Sequence, residues 1–212
     1  MSTPVTPAAY PAALKIAYPD RKLNRLTSFF RIFTVIPIAI IIVLISASTS
    51  LGNHNAWWTP LSFGGFLFLP LLLMILCRKK YPKWWFDWSL ALVRFSYRVS
   101  AYLFLLRDEY PSTDEEQSVQ LELVYPDAQN QLARGMPLVK WFLAIPHYVV
   151  LFFLGIATIV CIVIAWFAIL FTGRYPQGLF DFVVGVMRWA LRVEAYAFLL
   201  IVDKYPPFSL EA

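Results

Sequence analysis

The sequence predicts an all-α integral membrane protein of two tandem repeats, each a transmembrane helical hairpin followed by an amphipathic interfacial helix, with room for short cytoplasmic strands. Three observations lead there. The 212 residues are 59% hydrophobic and 15% charged, with a mean hydropathy of +0.62, whereas soluble domains hold roughly 25% charged residues and about 45–50% apolar ones. Two stretches, Ile41 to Cys77 and Trp141 to Gly173, contain no Asp, Glu, Lys or Arg, and each exceeds the roughly 20 apolar residues that cross a bilayer core as a helix. Finally, polar and aromatic landmarks of the first half return in the same order in the second.

The duplication sets the boundaries. Lys15-Ile-Ala-Tyr-Pro-Asp20 returns as Glu122-Leu-Val-Tyr-Pro-Asp127, and Arg25, Arg31 and Pro37 match Arg134, Lys140 and Pro146 at one constant offset. Tyr81-Pro82, Asp87, Arg94, Arg98, Tyr102 and Asp108-Glu-Tyr-Pro111 then match Tyr175-Pro176, Asp181, Arg188, Arg192, Tyr196 and Asp203-Lys-Tyr-Pro206. Shared hydrophobicity cannot produce ordered matches of charged and aromatic residues. The predicted organisation is an extended or disordered segment over 1–13, one repeat over 14–111, an acidic linker over 112–120, a second repeat over 121–207 and a tail over 208–212. Met1 to Pro19 lacks the basic start and apolar core of a cleavable signal peptide.

Each repeat opens with a period-two run, Leu14, Ile16, Tyr18 and then Val119, Leu121, Leu123, Tyr125, which predicts a strand ended by the following Pro. The two strands are expected to pair. In the first copy, Phe29–Ile45 and Leu61–Leu76 read as membrane helices joined by a polar loop over Ser46–Pro60 carrying Trp57 and Trp58. In the second, the uncharged stretch is too long for one upright helix across a core of roughly 30 Å. It is read as a shorter hairpin turning near Gly155, with a tolerable kink at Pro146. Basic residues flank both hairpins, Arg21 to Arg31 with Arg78 to Lys83, and Lys140 with Arg174. This predicts a multi-pass protein of the inner membrane with both termini cytoplasmic.

The third element of each copy carries the chemistry. Trp84–Leu106 and Leu179–Ile201 are helix-length and mostly apolar, yet Asp87, Arg94 and Arg98, and likewise Asp181, Arg188 and Arg192, fall within about 40° of one another on a helix. Two arginines at mid-bilayer would cost about 2.5–3.5 kcal/mol apiece, so each helix is expected to lie in the interface plane. Arg94, Arg98, Arg188 and Arg192 are then candidates to grip phosphates of lipid headgroups, with Asp87 and Asp181 as structural counter-charges.

The run Ile-Pro-His at 145–147, Phe-Thr-Gly-Arg-Tyr-Pro at 171–176 and Phe-Asp-Phe-Val-Val-Gly-Val-Met-Arg-Trp at 180–189 resembles a bacterial membrane family, domain of unknown function 4389. The second copy, about Leu121 to Pro207, carries the resemblance most completely. The first departs from it, with Ile38 where His147 stands and Cys-Arg-Lys-Lys in place of Phe-Thr-Gly-Arg. The resemblance implies a bacterial inner-membrane protein and brings no known activity.

Other chemistry is not expected. His54 and His147 lie at different predicted depths, which does not suit a shared haem. Cys77 and Cys161 form no CxxC pair, and there is no phosphate loop, nucleophile elbow or HExxH motif. The net charge of +5 reads as membrane-flanking residues rather than a nucleic-acid surface. The expectation is therefore a non-enzymatic accessory or scaffolding subunit without cofactor or metal, whose partners are membrane lipids, anionic ones included, and other membrane subunits or a second copy. A transporter or lipid-handling protein using the cleft between the repeats is the alternative. Once Cys77 and Cys161 are replaced, cysteines introduced at Asn53 or Asn55 should label from outside intact cells with an impermeant maleimide, and one at Ser112 should not. Labelling at Ser112 would reverse the orientation.

Overall fold

The structure is a computed structural model and describes residues 10–19, 23–47, 68–112, 115, 117–128, 132–133 and 135–211, with backbone alone at 32–33, 39–47 and 68–70. The elements are β1 (Ala12–Ile16), α1 (Arg25–Ala47), α2 (Phe68–Arg78), α3 (Lys83–Leu103), β2 (Val119–Leu123), α4 (Met136–Leu143), α5 (Ile145–Thr172) and α6 (Gln177–Ala197). The loop expected over Ser46–Pro60 falls almost wholly outside the described residues, as does His54.

Both expected strands form, and they pair antiparallel with Leu14 opposite Leu121. Their inward residues, Ala12, Leu14 and Ile16 on β1 and Val119 and Leu121 on β2, are buried, and the residues between them are exposed. The strand begins at Ala12, so the segment predicted as 1–13 gives up its last two residues to β1. The Val124 amide donates to the Pro11 carbonyl at 3.0 Å, one step beyond the Ala12–Leu123 pair. Since hydrogen-bonded and non-hydrogen-bonded pairs alternate, Leu14 and Leu121 form a non-bonded pair whose carbonyls point to the two open edges of the ribbon.

Among the described residues, the ribbon lies on two helices. β1 packs on α6 and β2 on α3, so each strand rests on the helix from the other half of the chain. The opposite faces of α3 and α6 meet α1, α4 and α5. Three layers result: the ribbon, the α3/α6 pair, and an outer set of helices. One core cluster joins all three, with Leu14, Leu121, Val93, Tyr97, Val183 and Met187 of the first two layers and Ile75 and Ile169 of the outer one.

One expectation fails here. The second uncharged stretch is not a hairpin turning at Gly155. It is a short helix, α4, followed after Ala144 by one continuous 28-residue helix, α5. A glycine inside a helix costs only about 1 kcal/mol relative to Ala, which an uninterrupted apolar sequence overrides. The break comes instead at Pro146, which sits in the first turn of α5, where its missing amide is no loss. The helix ends at Gly173 in the left-handed region (φ 73°), with its amide on Ile169 O at 2.7 Å. At 1.5 Å per residue α5 is about 42 Å long. Among the described residues it is the one helix long and apolar enough to cross a membrane, and only 11% of its most apolar window is buried in the chain.

α3 and α6 also stop short of their predicted ends. Leu105 (φ 63°) and Leu200 (φ 54°) adopt the left-handed conformation, at about 1–2 kcal/mol each for a residue with a Cβ. Both are buried, and the turn swings the following aspartates back onto the outer helices. Asp108 meets Arg31 and Asp203 meets Lys140, the latter at 2.7 Å. Each cation also lies over a tyrosine ring, Arg31 4.4 Å from Tyr102 and Lys140 5.2 Å from Tyr196. The second carboxylate oxygen of each aspartate takes a backbone amide, Asn24 N at 2.8 Å and Ala133 N at 2.7 Å. Lys140 is fully buried and also donates to Val202 O at 2.7 Å. Replacing Lys140 with Met should therefore destabilise the chain by about 3 kcal/mol or more, since it strands a partly buried carboxylate. Lys140→Arg, the residue used at Arg31, should retain most of the stability. Thermal unfolding in mild detergent reads both.

Candidate functional site

The four stripe arginines all turn toward backbone. Arg94 Nε donates to Leu121 O at 2.9 Å and Arg188 Nε to Leu14 O at 3.0 Å. These are the two outward carbonyls of the ribbon, so each arginine caps the open edge of a strand from the other half. A free sheet edge invites non-native pairing, and a guanidinium satisfies it without adding a strand. Further along, Arg98 Nη1 donates to Ser112 O at 2.6 Å and Arg192 Nη2 to the Glu211 carbonyl.

The counter-charges sit elsewhere. Asp87 and Asp181 are exposed, and among the described residues neither forms an ion pair with the arginines of its stripe. Helical spacing placed acid and base on one face, but the acids lie one or more turns nearer the helix start, beyond the ribbon that draws the arginines inward. The structural ion pairs are instead Arg31–Asp108 and Lys140–Asp203. Their residues stood out in the sequence as matched landmarks; what could not be read was that helix start and repeat end meet in space.

The two arginine pairs differ in their surroundings. Arg94 and Arg98 line a cavity of about 310 Å³ together with Gln117, Gln120 and Glu122, closed on its apolar side by Val119 and Leu121. Arg192 is only 5% exposed. The C-terminal segment covers its helix, with Leu210 so close to Gly185 that a Cβ there would lie 2.9 Å from Leu210 Cβ. Tyr10 closes the other side, its hydroxyl donating to Lys204 O at 3.2 Å and to Arg192 O at 3.4 Å.

His147, fully buried at the start of α5, accepts from Trp189 Nε1 at 3.1 Å through Nδ1 and stacks on Phe208 at 4.0 Å. Tyr205 also lies against the ring, with centroids 4.8 Å apart. Among the described residues, no group of three or more His, Cys, Asp or Glu side chains could hold a metal ion.

Sequence reasoning missed Glu194. It lies on α6 off the arginine stripe, and Tyr97 of α3 donates to its Oε2 at 3.2 Å across the centre of the molecule. Burial raises the Glu194 carboxyl to about 7, against the smaller lowering from the Tyr97 bond. Burial and the facing carboxylate hold the Tyr97 hydroxyl well above its ordinary value. An acid in an apolar helix run, away from any basic stripe, was the available signal.

The fold thus defines a class: a helical protein folded around an exchanged two-stranded ribbon, with one outward-facing apolar helix of membrane-crossing length. Residues 136–209 match the family described as Domain of unknown function (DUF4389). That segment runs from α4 through α6 to the C-terminal strap. No curated protein and no solved structure matches the chain.

The Glu194 environment gives a sign to the pH dependence. Its folded value lies above the unfolded one of 4.5, so its stabilising contribution is complete below about pH 4.5 and is lost as pH rises through about 7. The chain should be more stable at pH 5 than at pH 8 by as much as about 3 kcal/mol, and Glu194→Gln should flatten that difference. Unfolding midpoints across this range in wild type and variant measure it.

Proposed function

We propose that this chain is a non-enzymatic membrane protein, an accessory or scaffolding subunit that offers a lipid-facing surface built by two tandem copies of one unit. The observation that carries the reading is the outer face of α5. Phe152, Phe153, Ile159 and Phe171 are 64–78% exposed on a chain whose interior is otherwise closely packed. Patches of this extent mark a membrane or a partner, and a helix of about 42 Å with no charge along it favours lipid.

In this reading the outer helices enter the bilayer, α3 and α6 lie at headgroup level beneath them, and the ribbon stays in water. Tyr10 and Lys204 lie on one side, since the Tyr10 hydroxyl bonds the carbonyls of Arg192 and Lys204; the basic flanks favour the cytoplasmic side for it. The tandem reading draws support from contacts that recur at matched positions. Beyond the paired ions and edge caps, Tyr18 donates to Tyr175 O and Tyr125 to Tyr81 O. The left-handed leucines recur in the same way. The packed cluster of Val93, Tyr97, Val183 and Met187 between the halves fills the space that a transport cleft would need, which favours the scaffold over the transporter.

Lysines at Phe153 and Ile159 together should loosen α5 from the bilayer, at about 2.5–3.5 kcal/mol per charge placed in the core, and expose a Gly155→Cys thiol, in a background without other cysteines, to an impermeant maleimide. Equal protection of that thiol with and without the two lysines would overturn the lipid-facing role of α5. Purification in mild detergent should bring a stoichiometric membrane partner or a second copy; a chain recovered alone as a monomer would count against the subunit role.

A further inference from the structure

We propose that the cavity beside Arg94 and Arg98 binds one phosphoethanolamine headgroup, the guanidiniums taking the phosphate and Glu122 the ammonium. The inference rests on the reading above, in which this face of α3 lies at headgroup level, and it names the ligand that the face selects.

The donors come first. Among the described residues, Arg94 spends only Nε, on the Leu121 carbonyl, and Arg98 only Nη1, on Ser112. A guanidinium carries five N–H donors, so Arg94 keeps both terminal nitrogens and Arg98 keeps Nη2. Arg98 Nε is buried without a hydrogen-bond partner. Among the described residues neither guanidinium has a carboxylate partner. Two fixed cations beside one cavity, each held in place by a backbone carbonyl, present the forked geometry that suits a phosphate.

The other lining groups narrow the choice. Glu122 shares the cavity with both arginines, and Gln117 and Gln120 supply neutral amides. The formal charge of the lining is therefore +1. A dianionic phosphate would meet the Glu122 carboxylate, whereas a phosphodiester with a primary amine two carbons away satisfies both signs at once. A volume of about 310 Å³ stands at the small end of ligand pockets. It suits a headgroup whose acyl chains remain outside.

Among the described residues, the matching place in the second half is filled. Arg192, the counterpart of Arg98, is buried with Nη2 on the Glu211 carbonyl, and Leu210 is seated against Gly185. The chain's own C-terminal segment occupies that place, so the structure assigns one headgroup per chain and not two.

The test uses the full chain in nanodiscs of mixed phosphatidylethanolamine and phosphatidylglycerol, with retained lipid counted by native mass spectrometry. One phosphatidylethanolamine per chain is expected. Glu122→Gln, an exposed change, should reduce the preference for phosphatidylethanolamine over phosphatidylglycerol about tenfold, the weight of one charge-assisted hydrogen bond. Arg98→Gln should lose both lipids. Should that variant fail to fold, Arg98→Lys keeps the charge and should keep a reduced retention. A preference unchanged in Glu122→Gln would overturn the assignment, and so would full retention in a folded Arg98→Gln.

A second arm titrates glycerophosphoethanolamine and inorganic phosphate against the detergent-solubilised chain. Tighter binding of glycerophosphoethanolamine, weakened by Glu122→Gln, is the expected result. Equal binding of inorganic phosphate would overturn the zwitterion assignment. Glu122-dependent binding in detergent with no lipid retained in nanodiscs would uphold the site and overturn its membrane placement. Lipid retained irrespective of Arg98 and Glu122 would uphold the membrane placement and overturn the site.

Discussion

Everything in this structure depends on two carbonyls. Leu14 O and Leu121 O face away from each other across a five-residue ribbon, and each is held by an arginine from the helix beneath it. A two-stranded ribbon is marginal by itself in water, and its outer edges would stay open. Packing β1 on α6 and β2 on α3 buries the inner face, and the arginines close the edges. Because each strand rests on the helix of the other half, neither half has a complete core alone. The recurrent arginines are first of all the fasteners of that exchange, and only their spare donors are open to a ligand.

The outer layer obeys a different constraint. The two buried cations in it are paired: Arg31 and Lys140 each find an aspartate and a tyrosine ring. What remains outward on α5 is apolar. Burying a lone ammonium such as Lys140 would be prohibitive. The ion pair, the carbonyl of Val202 and the ring of Tyr196 together keep the charge tolerable. The arrangement separates a polar, hydrogen-bonded ribbon side from an uncharged helical side. Such a separation is what an interface between water and lipid asks of a small protein.

Much of this was legible in the residues. Alternation at Leu14–Ile16 and Val119–Leu123 gave both strands, one from each copy, and the expectation that they pair is met. Helical spacing placed Arg94 with Arg98 and Arg188 with Arg192 correctly on shared faces. Spacing says which side chains share a face, however, and not what covers that face; so the arginines were expected in headgroups while the structure turns them toward a strand. Length arithmetic failed for α5 because it assumed an upright crossing, and Gly155 alone is too weak a breaker to make a turn. Glu194 was invisible for a related reason: its character comes from burial against Tyr97 of the other half, a contact with no local signature.

The exchange has a consequence for how the chain comes to be folded. The Leu14 carbonyl and the Arg188 side chain that holds it lie 174 residues apart. β1 is made before α6, the helix on which it rests, which begins about 160 residues later. Non-local pairings of this kind are slow to form, and the segments awaiting them expose edges that aggregate. Until α6 emerges the first strand is thus an alternating apolar segment without its support. Its shortness, and Lys15 on the exposed face, are the features that keep such a segment soluble while it waits.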